Sequence, residues 1–340
     1  MYAVNFRHRG RDHTVRAGEH FGLNSDQGFR DTTASDLTAL VAEVNAGRPW
    51  REAVQERYAT TKPWLHRIIA APIRTSFLGA VLPAETSPVL DIGSGWGQVA
   101  RVLAASRPVV ALEPVAERLA FIDAAARQDG VRDRIVSVGA DYLDVDFAER
   151  FSAICAIGVL EWAGAFQDRE DPRQRQARFL EKTRRDLAPG GALVIGIENR
   201  IGLKYLLGCP DDHLGVAGIA CLPAEIAARR WRQHSGAAMQ SFTYNQDELE
   251  KMLCRAGYTA IEFFGAFPDY KVPEQIIEFG EAGATVNAWL REGGLPAEHN
   301  GYDGSPLAPE LMETLAAHYR TFAEAGIGHH FVPSFFVRAR

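Results

Sequence analysis

The sequence of 340 residues has few cysteines, no long apolar runs and no excess of basic charge, and each absence excludes a class of protein. Its four cysteines are widely spaced and form no C-x-x-C pair, so we expect reduced thiols in a cytoplasmic protein. The longest apolar runs, such as GALVIGI at 191–197, are too short to span a bilayer, and the first ten residues contain no signal-peptide core. We therefore expect no membrane span, and with a net charge of -6 and no dominant basic stripe we expect no nucleic-acid partner.

Hydrophobic periodicity divides the chain into an N-terminal extension and a larger α/β domain. Residues 1–85 alternate loosely as a small hairpin and then follow a helical pattern, which predicts an extension that packs on the domain or covers it as a lid. Residues 86–340 alternate short apolar runs with helical runs, the pattern of a parallel sheet with helices on both faces. Breaks in this rhythm predict two insertions, at 200–242 and at 270–328, with a final strand after the second.

The stretch VLDIGSGWGQVA at 89–100 places three alternating glycines directly after an apolar strand. Such a loop is typical of sites for nucleotide-like ligands, but Gln98 stands where the dinucleotide fingerprint has its third glycine. The loop also lacks the lysine of a phosphate-binding loop. Asp91, at the end of the strand, would repel a pyrophosphate and would suit a ligand with a cationic ammonium or sulfonium group.

This loop resembles the first motif of the class I S-adenosylmethionine-dependent methyltransferases, and four later segments match that family in order and spacing. Glu113 in VVALEP resembles the acid that binds the cofactor ribose, and Asp141 in GADYLD resembles the acid that meets the adenine amino group. The backbone near Gly158 and Val159 in ICAIGVLEW matches the segment that approaches the methionine amino group. RRDLAPGGALVI resembles the family's helix, tight turn and fifth strand.

The resemblance implies a Rossmann-like doubly wound sheet of seven strands with an antiparallel last strand. It also implies S-adenosylmethionine as the cofactor, with S-adenosylhomocysteine as the product. The residues that it places around this cofactor are Asp91, Gly93, Ser94, Gly95, Trp96, Gly97, Glu113, Pro114, Asp141, Tyr142, Gly158 and Val159. Trp96 is left between two roles, covering the ligand and packing in the core.

The acceptor of the methyl group is less defined by the sequence. IENRIGLKYLLGCPDDHLG at 197–215 and FPDYKVP at 267–273 resemble a subgroup of bacterial methyltransferases often associated with glycan or secondary-metabolite biosynthesis. The resemblance implies a small-molecule or glycan acceptor, and we expect transfer to oxygen. Transfer to a carboxyl group or to nitrogen, on a peptide or a metabolite, stays an alternative.

Polar residues past the fourth and fifth strands are the candidates for catalysis, because ligands bind at the carboxyl ends of the strands in this type of sheet. His213 is the candidate general base, oriented by Asp211 or Asp212, although a histidine in a polar turn is usually a solvated residue. The residues expected at the reaction centre are His213, Asp212 and Glu198. Those expected to contact the acceptor are Glu161, Trp162, Asn199, Arg200, Lys204 and Tyr205.

Two clusters in this region have alternative interpretations. Arg200 and Lys204 are four residues apart, so on a helix they would share a face that binds a carboxylate or phosphate of the acceptor, or a face that is simply solvated. Asp211, Asp212 and His213 offer donor types that suit Mg²⁺ or a transition ion, but we expect no metal.

Two other functions stay open on the sequence alone. An NAD-dependent oxidoreductase uses a similar sheet, and a non-catalytic protein could retain the cofactor fold as an interaction module. Gln98 and Asp91 argue against the first function, and the intact glycine loop with Glu113 argues against the second. The sequence leaves the oligomeric state open, with a homodimer as one option.

Overall fold

The computed structural model describes residues 2–22, 28–82, 87–166, 171–296, 298–301 and 304–340. The boundary expected at residues 85–86 lies outside the described residues. The strands are β1 (Ala3–His8), β2 (Arg11–Arg16), β3 (His20–Phe21), β4 (Val89–Ile92), β5 (Val109–Leu112), β6 (Ile135–Val138), β7 (Val145–Phe147), β8 (Phe151–Ile157), β9 (Leu187–Glu198), β10 (Ile261–Phe267), β11 (Gln275–Glu278) and β12 (Ser334–Ala339).

The α-helices alternate with these strands or fill the N-terminal extension and the insertions. They are α1 (Ala34–Asn45), α2 (Trp50–Tyr58), α3 (Pro63–Ala70), α4 (Phe77–Val81), α5 (Gln98–Ala104), α6 (Ala116–Gln128), α7 (Pro172–Asp186), α8 (Leu203–Leu206), α9 (Ala224–Ser235), α10 (Gln246–Arg255), α11 (Ala284–Arg291) and α12 (Pro309–Glu324). Among the described residues, no helix combines the length and apolarity needed to cross a membrane. All four cysteines lie in the described ranges and are free.

A nine-stranded sheet in the order β11-β10-β12-β9-β8-β4-β5-β6-β3 forms the centre of the molecule. The strands from β9 to β6 in this order are parallel, and β12 lies antiparallel between β9 and β10. This confirms the predicted doubly wound sheet, with its seven strands in the middle and an antiparallel last strand. The sequence pattern does not predict the edge strands β3 and β11, because one has two residues and the other is a short run inside the second insertion.

Burial explains why polar and apolar residues do not alternate along the central strands. Every residue of β4, β5 and β6 is buried, including Asp91. Strands covered by helices on both faces have no solvent side, so apolar residues occupy consecutive positions.

The N-terminal extension forms the predicted hairpin and helices. β1 pairs with β2 in the register Val4↔Val15, and it also pairs with β7 to make a separate three-stranded sheet. The helices α1 to α3 pack on α6 around the buried side chains of Trp50, Trp96 and Phe121. Because Trp96 belongs to the glycine loop, the extension lies directly over that loop.

Candidate active site

The glycine loop follows β4 and has a conformation that requires glycine. Gly93 has φ +61°, and a Cβ atom there would lie 2.6 Å from Val159 Cγ2. Gly97 has φ +76°, and its Cβ atom would lie 2.8 Å from Ile122 Cγ1. A side chain at either position would be strained and would collide with its neighbour, so the loop can approach β8 and α6 only with glycine.

Asp91 is buried at the base of this loop. Its side chain lines a cavity of about 650 Å³, and its Oδ2 atom has no hydrogen-bond partner among the described residues. Burial raises the pKa of Asp91 to about 7, and the nearby Glu113 carboxyl contributes to the increase. A cationic ligand would supply the missing partner, as the sequence predicts.

A smaller cavity of about 150 Å³ lies beside the first at the carboxyl ends of β4 and β5. Glu113 lines it and accepts the backbone N–H groups of Gly95 at 2.8 Å and of Val115 at 2.9 Å. Asp141 also lines it and accepts the N–H of Leu143 at 2.8 Å. Other predicted cofactor residues on its wall are Gly93, Pro114, Tyr142, Gly158 and Val159.

The two cavities adjoin, because they share several lining residues: Phe29, Gly93, Arg118, Gly158 and Trp162. The large cavity also contacts the predicted cofactor residues Ser94, Gly95 and Trp96. Its lining also includes a group that we call the polar wall: Asp212, His213, Asp269, Tyr270 and Lys271. A ligand that crosses the junction would therefore reach the polar wall from the glycine loop.

His213 lies among carboxylates. Its Nε2 atom is 3.4 Å from Glu198 Oε2 and 3.7 Å from Glu161 Oε1, and its Nδ1 atom is 3.8 Å from Asp211 Oδ1. Asp211 also accepts the backbone N–H groups of His213 and Leu214, both at 2.8 Å, which holds the turn. Burial lowers the pKa of His213, but the carboxylates, Glu198 foremost, outweigh this effect and raise the pKa to about 9. In the ligand-free protein the imidazole is therefore protonated at neutral pH.

Two lysines pair with the neighbouring acids. Lys204 Nζ is 2.8 Å from Asp212 Oδ2, while Lys271 Nζ contacts Glu198 and lies 3.4 Å from Asp269 Oδ2. Burial raises the pKa of Asp212, but Lys204 and Lys271 outweigh it and hold the pKa below its ordinary value. Of the two aspartates expected to orient His213, only Asp211 lies next to the ring. Asp212 is bound to lysine instead.

The structure corrects most of the residues expected to contact the acceptor. Trp162 lines both cavities, whereas the other five line neither: Glu161, Asn199, Arg200, Lys204 and Tyr205. Arg200 binds both carboxylate oxygens of Glu248 at 2.6 and 2.7 Å, so its charge is used in a structural pair. It precedes α8 and shares no helix face with Lys204.

The remaining three have identifiable structural surroundings. The Asn199 side chain donates to the carbonyls of His330 and Val332, both at 2.8 Å, and so ties β9 to the segment before β12. Tyr205 is buried in a small apolar cluster with Cys209 and Ala220. Glu161 is fully buried behind His213 and accepts the Tyr270 hydroxyl at 3.3 Å.

The N-terminal extension contributes residues that the sequence does not signal. Asp31 accepts the Trp96 indole N–H at 3.0 Å and pairs with Arg118 at 2.9 Å. Phe29 stacks on Trp162 with ring centroids 4.9 Å apart. These contacts bring residues 28–31 over the junction of the cavities. Trp96 itself is 2% exposed, so it packs in the core and reaches the large cavity only with its edge.

A second group was visible in the sequence without an assigned role. FPDYKVP contributes Asp269, Tyr270 and Lys271 to the polar wall, and a Cβ atom on Gly158 would lie 2.7 Å from Tyr270 Oη. Arg74, in a short helical turn after α3, donates to the Lys271 carbonyl at 2.7 Å and lines the same cavity. No local pattern around Arg74 distinguishes it from the other basic residues of the extension.

Comparisons with known proteins match the central segment of the chain. Residues 90–195 match the family model described as a methyltransferase domain, and no curated protein matches the sequence. A candidate O-methyltransferase from Nostoc punctiforme is a similar solved structure, with 17% identity and a TM-score of 0.42. The match covers 69% of this chain and 64% of that one, so this chain spans slightly under two thirds of its length.

Two further solved structures show the same low level of similarity. The CcbJ methyltransferase of Streptomyces caelestis has 18% identity and a TM-score of 0.41, over 60% of this chain and 84% of its own. Phosphoethanolamine N-methyltransferase 2 of Haemonchus contortus has 14% identity and a TM-score of 0.43, over 85% of this chain and 59% of its own. At these scores the similarities carry no argument about the acceptor.

The family match covers β4 to β9 except their outermost residues, and it includes the glycine loop, Glu113 and Asp141. The resemblance predicted from the sequence is confirmed over this segment, and the sheet has the strand order that the resemblance implies. Residues 90–195 therefore match a methyltransferase domain, within a sheet of the kind that the resemblance implies.

Proposed function

We propose that this chain transfers the methyl group of S-adenosylmethionine to an oxygen atom of a small-molecule or glycan acceptor. The observation that carries the proposal is the pair of adjoining cavities at the carboxyl ends of the central strands. The small cavity presents Glu113 and Asp141, and the large cavity presents both Asp91 and the polar wall. This is the position at which a doubly wound sheet binds its ligands.

The lining residues fit the chemical groups of the cofactor. Glu113 suits the ribose hydroxyls, because each of its oxygens accepts one backbone N–H and keeps a lone pair for a further donor. Asp141 suits the adenine amino group. The unpartnered Oδ2 atom of Asp91 suits the ammonium group, and Arg74, on the same cavity, suits the carboxylate of the amino-acid end. When bound, the cofactor supplies an electrophilic methyl group on a sulfonium centre.

Transfer to a hydroxyl requires that the acceptor loses a proton. His213 and Glu198 form a close acid–base pair, and Glu198 Oε2 has no hydrogen-bond partner among the described residues. We assign the removal of the proton to this pair, which acts as a base once His213, protonated at neutral pH in the ligand-free protein, has released its own proton. Asp212 is the polar group that orients the acceptor. Lys204 fixes Asp212 in the charged form for that purpose.

The volume of the large cavity supports a bulky acceptor. At about 650 Å³ it has the size of a site for a drug-sized molecule, which exceeds the need of the amino-acid end of the cofactor. Its outer part is formed by Lys62, Trp64 and Ile68 from the extension. The glycan acceptor suggested by the subgroup resemblance is consistent with one aromatic face opposite a polar wall.

Methyl transfer tests the proposal directly. The protein is incubated with S-adenosylmethionine carrying a labelled methyl group and with panels of glycosides, amines and carboxylic acids. We expect label in hydroxyl acceptors, in products that resist mild base. Label released by base as methanol would show methyl esters, and label on amines would show N-methylation; either result would contradict the assignment to oxygen.

Ligand-induced stabilisation tests the cofactor separately. S-adenosylhomocysteine at about 100 times its dissociation constant should stabilise the protein by about 2.7 kcal/mol, and NAD should have no effect. Stabilisation by NAD alone would favour an oxidoreductase and exclude the proposed function.

A further inference from the structure

We propose that Glu161, Glu198 and His213 form a buried binding site for a divalent transition-metal ion next to the large cavity, which His213 alone of the three lines. One carboxylate oxygen of each glutamate and one nitrogen of His213 lie within 4.8 Å of one another. This site goes beyond the methyl transfer proposed above and was not expected from the sequence, since residues 161 and 198 are far from 213 along the chain.

Two oxygen atoms in this group lack partners among the described residues. Glu161 Oε2 and Glu198 Oε2 accept no hydrogen bond, although the two side chains are 0% and 1% exposed. The other oxygen of each carboxylate is used, because Tyr270 donates to Glu161 Oε1 and Lys271 donates to Glu198 Oε1. A buried carboxylate oxygen without a donor is costly, so the pair favours a ligand that brings positive charge.

The distances suit a common metal centre. Ligand atoms bound at about 2.1 Å to one tetrahedral ion lie about 3.4 Å from each other. His213 Nε2 is 3.4 Å from Glu198 Oε2 and 3.7 Å from Glu161 Oε1. Small side-chain movements would bring His213 Nε2 and Glu198 Oε2 to one ion. Glu161 would bind the same ion through Oε1, which accepts from Tyr270, or through Oε2 after a rotation of its carboxylate.

The second nitrogen of His213 is placed as in many metal sites. Nδ1 is 3.8 Å from Asp211 Oδ1, and Asp211 is held by two backbone N–H groups. Metal-bound histidines usually direct their other nitrogen to a carboxylate or carbonyl, which fixes the ring. Two carboxylates and one imidazole form a donor set that suits Mn²⁺ or Zn²⁺.

A neighbouring group of acids is a weaker candidate. Glu198, Asp212 and Asp269 also lie within reach of one ion. Asp212 is already paired with Lys204 at 2.8 Å, and Asp269 with Lys271 at 3.4 Å. An ion there would have to displace two ammonium groups, whereas the first group offers unpaired oxygens.

The ion would have a chemical role at the acceptor. With the ion bound, Glu198 and His213 would be ligands and would not remove the acceptor proton themselves. Three protein ligands leave a coordination position for an acceptor oxygen, and coordination would lower the pKa of its hydroxyl group so that the proton can pass to water. This role rests on the proposed function, but the binding of the ion does not.

Titration of the full chain with Mn²⁺ alone, followed by the electron paramagnetic resonance signal of the free ion, tests the site. We expect the wild type to bind one ion and the isosteric variants Glu161→Gln and Glu198→Gln to bind it at least about tenfold more weakly. Asp269→Asn, which changes only the second group, is the matched control and should stay within about threefold of the wild type. No binding of Mn²⁺ or Zn²⁺ by the wild type at about 1 mM would overturn the proposal. Loss of binding in Asp269→Asn but not in Glu161→Gln would overturn it equally.

A spectroscopic signature separates ligation from misfolding. Pulsed resonance spectra of bound Mn²⁺ should show coupling to an imidazole nitrogen in the wild type, and this coupling should disappear in His213→Ala. Coupling that persists in His213→Ala would contradict the assigned ligand. Binding of S-adenosylhomocysteine by each variant shows that the fold is intact. If the protein binds the ion but transfers no methyl group, the proposed function is excluded and the metal site is not. If it transfers the methyl group but binds no ion, only the metal site is excluded.

Discussion

The small cavity and the polar wall hold their charged groups in different ways. In the small cavity, backbone N–H groups of nearby loops hold Glu113 and Asp141. In the polar wall, charged side chains hold each other, and Lys271 reaches Glu198 across 73 positions of the sequence. In the proposed function, cofactor recognition therefore depends on local loop geometry, while the acceptor side depends on a coupled set of charges. Substitutions in the polar wall should be less additive than those in the small cavity.

The largest effect is expected from His213→Ala. Removing the imidazole should lower kcat by about 10²- to 10⁴-fold, because the acceptor loses a group that handles its proton, while the affinity for S-adenosylhomocysteine should change less than about threefold. Turnover and calorimetric titration measure the two quantities. His329→Ala is the control, since His329 is buried against Asn287 and lines neither cavity. Unchanged turnover in His213→Ala would remove the residue from the reaction centre.

Asp91→Asn should weaken S-adenosylhomocysteine binding by about 10- to 100-fold, because a hydrogen bond to a charged group contributes about 1.5–3 kcal/mol. Binding of 5′-methylthioadenosine, which lacks the amino-acid end, should be unaffected. Glu113→Gln should weaken both ligands, since both carry the ribose. If Asp91→Asn weakened both ligands equally, Asp91 would belong to the adenosine end and the assignment of the cavities would be reversed.

The pH dependence of cofactor binding gives a smaller effect. The pKa of Asp91 is raised by burial to about 7, and only the ionised carboxylate pairs with an ammonium group. The affinity for S-adenosylhomocysteine should therefore rise by about tenfold from about pH 5.5 to about pH 7.5 and then level off. Calorimetric titrations across this range measure it. The pH dependence of the affinity should vanish in Asp91→Asn. If it persists in this variant, the titrating group is a different residue.

The smallest effect on catalysis is expected from Arg200→Ala. The guanidinium binds Glu248 and lines neither the large nor the small cavity. The KM for the acceptor should therefore stay within about twofold of the wild-type value. Loss of this partly buried pair should instead lower the free energy of unfolding by about 1 kcal/mol. Steady-state kinetics and thermal unfolding test the two statements. A large increase in KM would restore Arg200 as an acceptor ligand.

How well the sequence predicts the site also differs between the cofactor residues and the polar wall. Asp91, Glu113 and Asp141 each stand at the end of an apolar run, where strand, loop and helix follow one another within a few residues. A local pattern therefore located them. The pairing of Arg200 with Glu248 could not be foreseen, because Glu248 lies on α10, 48 positions away. No spacing rule connects the two.

The polar wall shows a similar limit. Tyr270 and Lys271 meet Glu161 and Glu198 only because β10 lies next to β12, and β12 next to β9. The strand order of the last strands could be expected from the resemblance, but not which side chains it would bring together. Asp31 and Arg74 belong to the N-terminal extension. The motif from which the fold was predicted says nothing of how this extension packs on the glycine loop.

A crystal structure with S-adenosylhomocysteine tests the central claim most directly, because it shows which end of the ligand occupies which cavity. The account predicts the adenosine in the small cavity against Glu113 and Asp141, with the amino group at Asp91 and the sulfur facing the polar wall. A ligand with the opposite orientation, or one whose sulfur is closed off from His213, would contradict it.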